Sequence, residues 1–383
     1  MKNKNGKVYY LCFYADKEVE KQIVFYPSVI SKIDYVASRI KQTGREVVIV
    51  SISPSLMGKF NGYTKRIDDK ESHIYLKSLV SKNLILNKLC FVIHNLLILM
   101  FLFKNVKKDD SVIVYHSLYN RLWVNLFKKL TSHNVILQIE DVFSELTSRN
   151  KKYKKNEWKT FKRMQNCICV NDIIFKDLEE VPNKMVSYGS YELPQKFEKN
   201  DNDKVRLVYA GVIEQERNAA FLAAKVMDFL PENYELHILG FGKEKDLTAL
   251  KDLINSLNKK KSRDCITYHG RMQGDEYFKF LQSCDIALST HMYDESNMTS
   301  ADYTFPSKVI VYLANNLRVV AQRLEVLEIC AVSDCIWFYE NPTPKNIADV
   351  IKNIDLQAEF NSRNRIADMD IEFLKDINSL LSF

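Results

Sequence analysis

Residues 205–230 read VRLVYAGVIEQERNAAFLAAKVMDFL. Apart from Arg206, the first six residues are apolar and include β-branched and aromatic side chains, which is typical of a buried strand. Gly211 and a polar stretch follow, and from residue 219 the apolar side chains recur with the period of a helix. A strand, a turn with glycine and a helix in this order begin a βαβ unit, whose strands lie parallel in one sheet.

The same alternation of strand and helix patterns continues in both directions along the chain. Apolar runs typical of buried strands occur at 7–14, 45–52, 111–115, 134–139, 166–170 and 184–187, and again at 234–239, 266–268, 286–289 and 318–321. We therefore predict an α/β protein with two tandem Rossmann-like domains. Each parallel sheet has its ligand crevice at the carboxyl ends of its strands, so two crevices face to face would form a cleft for two substrates.

The predicted boundary between the domains is a polar segment. Residues 196–204, KFEKNDNDK, are charged and show no apolar periodicity, which favours a linker. We predict an N-terminal domain at 1–198, a C-terminal domain at 204–357 and a helical tail at 358–383. The tail is expected either to cap the second domain or to cross back onto the first.

Composition excludes several classes of protein. The 383 residues are 46% hydrophobic and include only 10 Gly and 8 Pro, so disordered and collagen-like chains are ruled out. The eight cysteines are scattered, mostly in apolar runs, and no second pair accompanies Cys167 and Cys169. This spacing favours reduced, structural thiols in a cytoplasmic protein. The first residues lack the pattern of a secretory signal, so we expect none.

Charge is distributed unequally along the chain. Residues 1–200 hold 34 Lys and Arg against 20 Asp and Glu, a net +14, whereas the remainder holds 21 against 28, a net −7. The run 89–103 is strongly apolar and is followed by basic residues, namely Lys104, Lys107, Lys108, Arg121, Lys128, Lys129, Lys151, Lys152, Lys154 and Lys155. This pattern predicts peripheral contact with an anionic membrane surface, and a buried core helix is the alternative for the run. Nucleic acid is the competing partner, but no recognition motif for it is present, so we expect none.

Two loops of the second half carry the residues that an anion would need. Gly211 ends a strand and Arg217 lies just before the next helix, where free amide groups favour a phosphate. The stretch Tyr303-Thr-Phe-Pro-Ser-Lys308 precedes another helix. We predict that Pro306 lies in the first turn of this helix and that the Ser307 side chain caps it. Lys308 would then add positive charge. An exposed arginine and an ordinarily capped helix are the alternatives.

A third loop is suited to a flat base. Tyr268-His-Gly270-Arg271-Met272 is a strand that ends in glycine and continues as a polar turn. The exposed backbone and the Met272 side chain can receive a nucleobase, although the same residues would also make a simple turn.

In order and spacing, these motifs resemble the nucleotide-sugar domain of GT-B glycosyltransferases, most closely the retaining family 4. The resemblance covers about residues 204–325 and includes Leu239-Gly-Phe-Gly242, Cys284-Asp-Ile-Ala-Leu-Ser289 and the segment 305–320. It implies a donor site formed by Gly211, Arg217, Gly242, Gly270, Arg271, Met272, Tyr303, Pro306, Ser307 and Lys308. Tyr303 and Val311 stand where the family has two glutamates, and Val212 stands where it has a basic residue.

Polar residues also follow two strands of the first half. His116 comes after 111–115, and Glu140 and Asp141 come after 134–139. Because carboxyl ends of parallel strands share one edge of a sheet, these three are the candidate catalytic residues. The resemblance implies that His116 lies near the donor sugar, while Glu140 or Asp141 would orient or deprotonate an acceptor hydroxyl. A structural hydrogen bond is the alternative for His116.

The leading hypothesis is a metal-independent, retaining glycosyltransferase that uses a nucleotide-diphosphate sugar as co-substrate and needs no cofactor. Its acceptor would be a lipid-linked or glycan molecule in bacterial surface polysaccharide synthesis, such as capsule, exopolysaccharide or O-antigen. Asp368-Met-Asp370 is the one DxD string considered for a metal, and its place in the tail argues against that role. A catalytically degenerate partner subunit is the alternative, and a sugar-nucleotide 2-epimerase is a weaker one. The sequence leaves the oligomeric state open.

Overall fold

The structure is a computed structural model that describes residues 6–146, 151–198, 203–290 and 301–382. It divides the chain into two compact units. Unit 1 comprises 1–190 and 371–383, and unit 2 comprises 191–370. The division between them falls at Ser190 and Tyr191, ahead of the segment 196–204 that the sequence predicts as a linker.

Unit 1 is built on an eight-stranded sheet of the described residues. Its order is β10-β9-β8-β7-β1-β2-β5-β4, in which only β4 is antiparallel to its neighbour. The strands are β1 (Val8–Cys12), β2 (Val47–Ser51), β4 (Tyr63–Arg66), β5 (Glu71–Tyr75), β7 (Ser111–Tyr115), β8 (Asn134–Ile139), β9 (Asn166–Cys169) and β10 (Asn183–Val186). A separate antiparallel pair joins β3 (Gly58–Phe60) to β6 (Ser78–Val80).

Helices connect the parallel strands of unit 1. They are α1 (Pro27–Gln42), α2 (Leu84–Asn105), α3 (Arg121–Leu130), α4 (Phe143–Leu146), α5 (Lys151–Phe161) and α6 (Asp172–Asp177). All residues of β1, β2, β7, β8 and β9 are buried, which explains why these strands read as continuous apolar runs in the sequence. The strand order reverses between β1 and β7, where an open α/β sheet forms its crevice.

Unit 2 repeats this plan with a six-stranded parallel sheet, in the order β13-β12-β11-β14-β15-β16. The strands are β11 (Val205–Ile213), β12 (Tyr234–Gly242), β13 (Ile266–Gly270), β14 (Ile286–Ser289), β15 (Arg318–Gln322) and β16 (Ile336–Tyr339). Their helices are α7 (Ala219–Val226), α8 (Glu244–Lys261), α9 (Gly274–Gln282), α10 (Lys308–Ala314), α11 (Glu325–Glu328), α12 (Pro344–Lys352) and α13 (Ser362–Leu380). Here the order reverses between β11 and β14, so the crevice lies beside the end of β11.

The prediction of two Rossmann-like domains is thus confirmed. Of the two alternatives for the C-terminal tail, the structure shows the one in which the helix crosses back onto the first domain. The first residues of α13 belong to unit 2, and from Ile371 the chain belongs to unit 1. Within unit 1 the Phe373 ring packs on Tyr35, with 5.0 Å between ring centres. The carbonyl of Leu380 accepts a hydrogen bond from the Asn134 side chain at 2.7 Å.

The apolar run at 89–103 belongs to a helix that extends beyond it at both ends. It forms the middle of α2, which has 22 residues and is the one helix in the described part of the chain that is long and apolar enough to cross a membrane. Asn83 caps its start, because the Asn83 side-chain oxygen accepts hydrogen bonds from the amides of Ile85 and Leu86. Only 22% of its most apolar window is buried, so the alternative of a core helix is wrong.

The contacts of α13 with unit 1 generate a stability prediction. Phe373 is 2% exposed, and replacing it with alanine leaves a cavity beside Tyr35. We expect Phe373→Ala to lower the free energy of unfolding by about 3–5 kcal/mol. The matched control is Ile371→Ala on the same helix, where the side chain is 55% exposed and the change should stay within about 0.5 kcal/mol. Equal losses for the two variants in urea titrations would contradict the packing described.

Candidate functional site

The carboxyl end of β11 passes very close to the end of β12. Gly211 pairs with Gly240, and Ile213 pairs with Gly242. A Cβ atom on Gly240 would overlap the carbonyl of Gly211, and one on Gly242 would overlap that of Ile213. Gly242, predicted as a donor-binding residue, therefore has a structural reason to be glycine, because it lets the two strands continue side by side beyond the body of the sheet.

Lys308 lies directly beside Gly211. Its Nζ atom is 3.0 Å from the position that a Cβ of Gly211 would occupy, and 4.6 Å from the centre of the Tyr209 ring. Within the described ranges the ammonium group makes no hydrogen bond or ion pair; the Tyr209 ring is its one stabilising contact. Burial, and secondarily the charge of Arg217, lower the pKa of Lys308 to about 8. An ammonium group without an acceptor, next to the backbone of a glycine, makes this edge the candidate site for an anion.

Arg217 supplies the second positive charge of this site. Its side chain is 72% exposed and its Nε donates to Glu214 Oε2 at 2.8 Å. Asn218, which precedes α7, has a left-handed backbone with φ of 52°, and the Thr290 hydroxyl donates to the carbonyl of Ala219. The guanidinium is therefore on a solvent-facing turn at the reversal point of the strand order, and one carboxylate neutralises part of its charge.

Tyr312 positions Lys308, and sequence analysis missed it. The Tyr312 hydroxyl accepts a hydrogen bond from the amide of Ala210 at 2.9 Å and donates to the carbonyl of the same residue at 3.2 Å. Because Lys308 lies four residues earlier in α10, it is on the same helix face and is directed to the same edge of the sheet. The signal in the sequence is a tyrosine hydroxyl at the fifth position of α10, whose other residues after Lys308 are all apolar.

The third predicted loop adjoins this edge. Gly270 ends β13 with φ of 76°, a conformation that favours glycine. The guanidinium of Arg271 stacks on the Phe241 ring, 5.1 Å from its centre, and Met272 is half-buried. The Tyr268 hydroxyl donates to the carbonyl of Gly240 at 3.1 Å. The structure therefore brings the loop of β13 next to the glycines of β12.

The loop before α10 differs from the prediction in one respect. Pro306 lies ahead of the helix rather than in its first turn, and Ser307 occupies the cap position without a side-chain hydrogen bond to the helix. Tyr303 and Pro306 are half-buried and Ser307 is exposed. The interpretation of Ser307 as a capping side chain is thus wrong, because its backbone is already helical, whereas a capping serine needs an extended backbone.

Glu140 belongs to a buried polar chain in unit 1. The Lys32 ammonium lies 2.7 Å from the Glu140 carboxylate and also donates to the carbonyl of Ser187. Gln138 donates to Glu140 at 2.6 Å and accepts from the Tyr10 hydroxyl. The carboxylate at the carboxyl edge of β8 is therefore held by two donors, which suits a residue that orients a neighbour better than a free base. Asp141 is half-buried and follows it.

His116 is enclosed in the core of unit 1. Its Nε2 atom is 2.7 Å from Glu157 Oε1, and both side chains are within 1% of full burial. The ring packs edge-on against Phe161, with 4.6 Å between centres. Glu157 also accepts from the amides of Phe143 and Ser144 at the start of α4. These contacts are those of a structural histidine, which was the alternative for His116, and its catalytic role stays a prediction.

Glu157 was not singled out by sequence analysis, because it lies in a lysine-rich helix 41 residues beyond its partner. Burial raises the pKa of this carboxyl, but the hydrogen bond and charge of His116 and the donors at Ser144 outweigh burial and lower it overall. No group of three or more potential ligands for a metal ion occurs among the described residues. Asp368 and Asp370 lie on α13.

Taken together, the two sheets and their strand orders define a chain with the GT-B type of fold. The chain matches no family model and no curated protein. Solved structures do resemble it. The sucrose-phosphate synthase of Thermosynechococcus elongatus has a TM-score of 0.66 at 10% identity, with 98% of each chain covered. The E. coli trehalose-6-phosphate protein bound with UDP-2-fluoro glucose has a TM-score of 0.61 at 11% identity, with 98% of this chain and 97% of that one covered.

A third structure, from work on glycosyl transfer with retention by trehalose-6-phosphate synthase, has a TM-score of 0.64 at 10% identity, with 98% of this chain and 99% of that one covered. At these identities the likeness establishes the fold. The narrower resemblance to family 4 stays a prediction.

The pair of His116 and Glu157 generates a second prediction. Glu157→Ala leaves an imidazole and two backbone amides without their buried acceptor, so we expect a loss of about 3 kcal/mol in the free energy of unfolding. The wild-type contribution is present above pH 4.5, the ordinary pKa of a glutamate, and is lost as pH falls below it, because folding lowers the pKa of Glu157. Denaturant titrations from pH 7 down to about pH 3 measure both effects.

The control for this prediction is Glu46→Ala, since Glu46 pairs with Lys7 on the surface and each side chain is about half exposed. Its loss should be much smaller. If Glu157→Ala were as stable as Glu46→Ala, the buried acceptor role would be refuted.

Proposed function

We propose that the protein is a glycosyltransferase that takes a sugar from a nucleotide-diphosphate donor. The diphosphate binds at the carboxyl edge of β11, the nucleobase lies against the loop from Gly270 to Met272, and the sugar lies towards the loop that precedes α10. The reaction proceeds with retention and without a metal ion. The proposal includes no cofactor beyond the donor itself.

The observation that carries this proposal is the ammonium of Lys308, which has no ion-pair partner among the described residues and lies beside the bare backbone of Gly211. Burial and, to a smaller extent, the positive charge of Arg217 lower the pKa of Lys308, and Glu214 offsets only part of the charge of Arg217. A diphosphate would relieve this repulsion and accept charge-assisted hydrogen bonds from both side chains. Because glycine has no side chain, the phosphate can approach the backbone as well.

The same two cations support transfer chemistry. As the bond between sugar and diphosphate breaks, negative charge develops on the leaving diphosphate. Preorganised donors stabilise that charge more than they stabilise the ground state, and this difference accelerates the reaction. Tyr312 serves the reaction indirectly by holding α10, and with it Lys308, on the end of β11.

Two structures of similar fold support the choice of donor and stereochemistry. One was solved with UDP-2-fluoro glucose, which is a nucleotide-diphosphate sugar, and another concerns transfer with retention. By analogy we assign to this chain a nucleotide-sugar donor and retention at the transferred sugar.

For the acceptor we propose a lipid-linked or glycan molecule in bacterial surface polysaccharide synthesis. The supporting observation is the excess of positive charge in the first half of the chain, which suits an acceptor presented at an anionic membrane. The protein would then act in the cytoplasm, on the inner face of the cell membrane.

A degenerate partner subunit is the second candidate. Val311 is half-buried on α10, and its side chain cannot accept the hydrogen bonds of a ribose. A subunit that kept the fold and lost the donor would bind no nucleotide, so nucleotide binding separates the two candidates.

The first prediction of this proposal concerns Arg217. A nucleoside diphosphate at a hundred times its dissociation constant should stabilise the wild-type protein by about 2.7 kcal/mol. Arg217→Ala should weaken diphosphate binding by about 1.5–3 kcal/mol, because one charge-assisted contact is lost. Thermal-shift titrations with a panel of nucleoside diphosphates and their sugars measure both values.

Arg66→Ala is a closely matched control, since Arg66 is also 72% exposed and pairs with an acidic residue three positions away, but lies in unit 1. It should leave nucleotide binding unchanged. Equal binding by the Arg217 and Arg66 variants would show that the diphosphate site is misplaced, and no response to any nucleotide would favour the degenerate subunit.

The second prediction concerns the pH dependence of binding. Lys308 must be protonated to hold the diphosphate, and the free protein has its pKa at about 8. Affinity should therefore be greatest below that pH and should fall as pH rises through it, by up to about tenfold per unit. Calorimetric titrations between about pH 7 and pH 9 follow this change.

Lys308→Arg provides the control, because a guanidinium stays charged over this range and any remaining slope belongs to the ligand. Lys308→Met should bind weakly at every pH. A wild-type slope no steeper than that of Lys308→Arg would contradict the assignment of Lys308 to the diphosphate.

A further inference from the structure

Helix α2 presents a wide apolar face to solvent. Leu84 and Ile85 in its first turn are about 80% exposed, and Met100 in its last third is 66% exposed. The face is continued by other large apolar residues, all of them exposed: Leu86, Leu89, Phe91, Val92, Ile93, Leu96 and Phe103. A contiguous apolar surface of this kind marks a contact with a protein or a membrane.

The opposite face of α2 is attached to unit 1 along most of its length. Cys90, His94, Ile98 and Leu102, each four residues after the last, are all buried. The His94 ring is 2.9 Å from the carbonyl of Ile52. At the far end the Tyr9 hydroxyl donates to the carbonyl of Asn105 at 3.0 Å. One side of the helix is therefore packed on the domain, and the other side is exposed to solvent.

Helix α3 extends the same surface. Leu122, Leu126 and Leu130 recur every four residues and are exposed. The Phe103 ring of α2 lies 5.4 Å from the Phe127 ring of α3, and Phe91 of α2 lies 5.6 Å from Tyr119, which is just ahead of α3. We call the exposed apolar residues of α2 and α3 the α2–α3 face.

Positive charge surrounds the α2–α3 face. Residues 72–139 contain nine Lys and Arg, and their only acidic residues are Asp109 and Asp110. The Asp110 carboxylate is buried, because it accepts hydrogen bonds from the amides of Lys7 and Lys107. Exposed lysines stand along α2 and just beyond its end: Lys82, Lys88, Lys104, Lys107 and Lys108.

We propose that the α2–α3 face is a membrane-docking surface, which inserts its apolar side chains into one leaflet of an anionic lipid bilayer while the lysines contact the headgroups. An exposed apolar face with a basic border is the pattern of interfacial helices. This inference deepens the proposed membrane location and is independent of the donor assignment. It locates the contact on α2 and α3 rather than on the lysine cluster of α5.

The sheet topology excludes a membrane crossing by α2 in this fold. Strand β5 lies before the helix, with only the short strand β6 between them, and β7 follows it. Strands β5 and β7 belong to the same sheet, through β2 and β1. A helix that crossed a bilayer would place these two strands on opposite sides. The helix must therefore lie along the surface, with its buried stripe on the protein and its exposed face in lipid.

Charge also favours a bilayer over a second copy of the chain. In a symmetric dimer the same patch meets itself, so the basic border of one protomer would face that of its partner. An anionic leaflet offers the opposite charge, worth about fivefold in affinity for each well-placed lysine.

Sedimentation with lipid vesicles tests the inference. The full-length protein is mixed with vesicles of phosphatidylcholine alone or with about one-third anionic phosphatidylglycerol. We expect binding to the anionic vesicles, reduced at least about tenfold when salt rises from about 0.1 M to 1 M. Leu96→Asp combined with Met100→Asp should abolish it. The matched control is Phe229→Asp combined with Ile371→Asp, which alters two exposed apolar residues elsewhere and should bind like the wild type.

A second pair of variants isolates the charge contribution. Replacing Lys104, Lys107 and Lys108 with Gln should weaken vesicle binding by at least about tenfold. The control variant has Gln in place of three exposed lysines of unit 2, namely Lys259, Lys279 and Lys345. It should bind the vesicles like the wild type.

Three outcomes would overturn the inference: equal binding to neutral and anionic vesicles, binding to neither, or a dimer in light scattering that the Leu96 and Met100 changes dissociate without any vesicle binding. Nucleotide binding, measured in parallel, should be the same in all these variants. If the wild-type protein bound no nucleotide, that result would count against the proposed donor site and not against the membrane surface.

Discussion

The contact between the Tyr312 hydroxyl and the backbone of Ala210 determines the candidate site of unit 2. This hydroxyl bonds to both the amide and the carbonyl of one residue, at the end of a fully buried part of β11. It fixes the position of α10 on the sheet edge, and Lys308 is thereby held over the Tyr209 ring beside Gly211.

The candidate site also depends on the close approach of the β11 and β12 backbones at their carboxyl ends. The glycines at 240 and 242 let β12 approach the carbonyls of Gly211 and Ile213 in β11, and Gly211 leaves room for the Lys308 ammonium and the Tyr209 hydroxyl beside its backbone. The charge of Lys308 and Arg217 then acts on a site that is open to a phosphate. The glycines thus make room for a phosphate next to the backbone, and the lysine supplies a positive charge that attracts it.

In unit 1 the polar cluster and the apolar surface lie in different places. Its sheet edge holds the buried chain that links Lys32, Glu140 and Gln138, while one outer side carries the α2–α3 face with its basic border. The buried chain satisfies its own charges, so it does not explain the excess of lysine in this half of the sequence. The lysines are on the outside, where they remain available to a partner of opposite charge.

Much of the fold could be predicted because buried parallel strands are apolar throughout. Strands such as β7, β8 and β14 have the predicted bounds. The pair β3 and β6 was missed because each has only three residues and an exposed position, which leaves no periodicity to detect. The cap predicted at Ser307 was wrong because the local pattern does not specify its backbone angles.

Of the candidate site, the cluster of Gly211, Arg217 and Lys308 could be predicted because family-like motifs place these residues at strand and helix ends. His116 could not be assigned from sequence, since its role depends on Glu157, which the fold brings to it from a distant helix. The contribution of Tyr312 was hidden for the same reason, because its hydrogen bond joins residues 102 positions apart. Expectations for a cleft between the domains stay predictions.

The central claim is that the edge of β11 binds the diphosphate of a nucleotide. A crystal structure of the protein with a bound nucleoside diphosphate tests it most directly. The account predicts phosphate oxygens within hydrogen-bond distance of Lys308 Nζ, about 3 Å, and next to the backbone of Gly211. A diphosphate bound elsewhere, with the Lys308 ammonium still resting on Tyr209 alone, would contradict it.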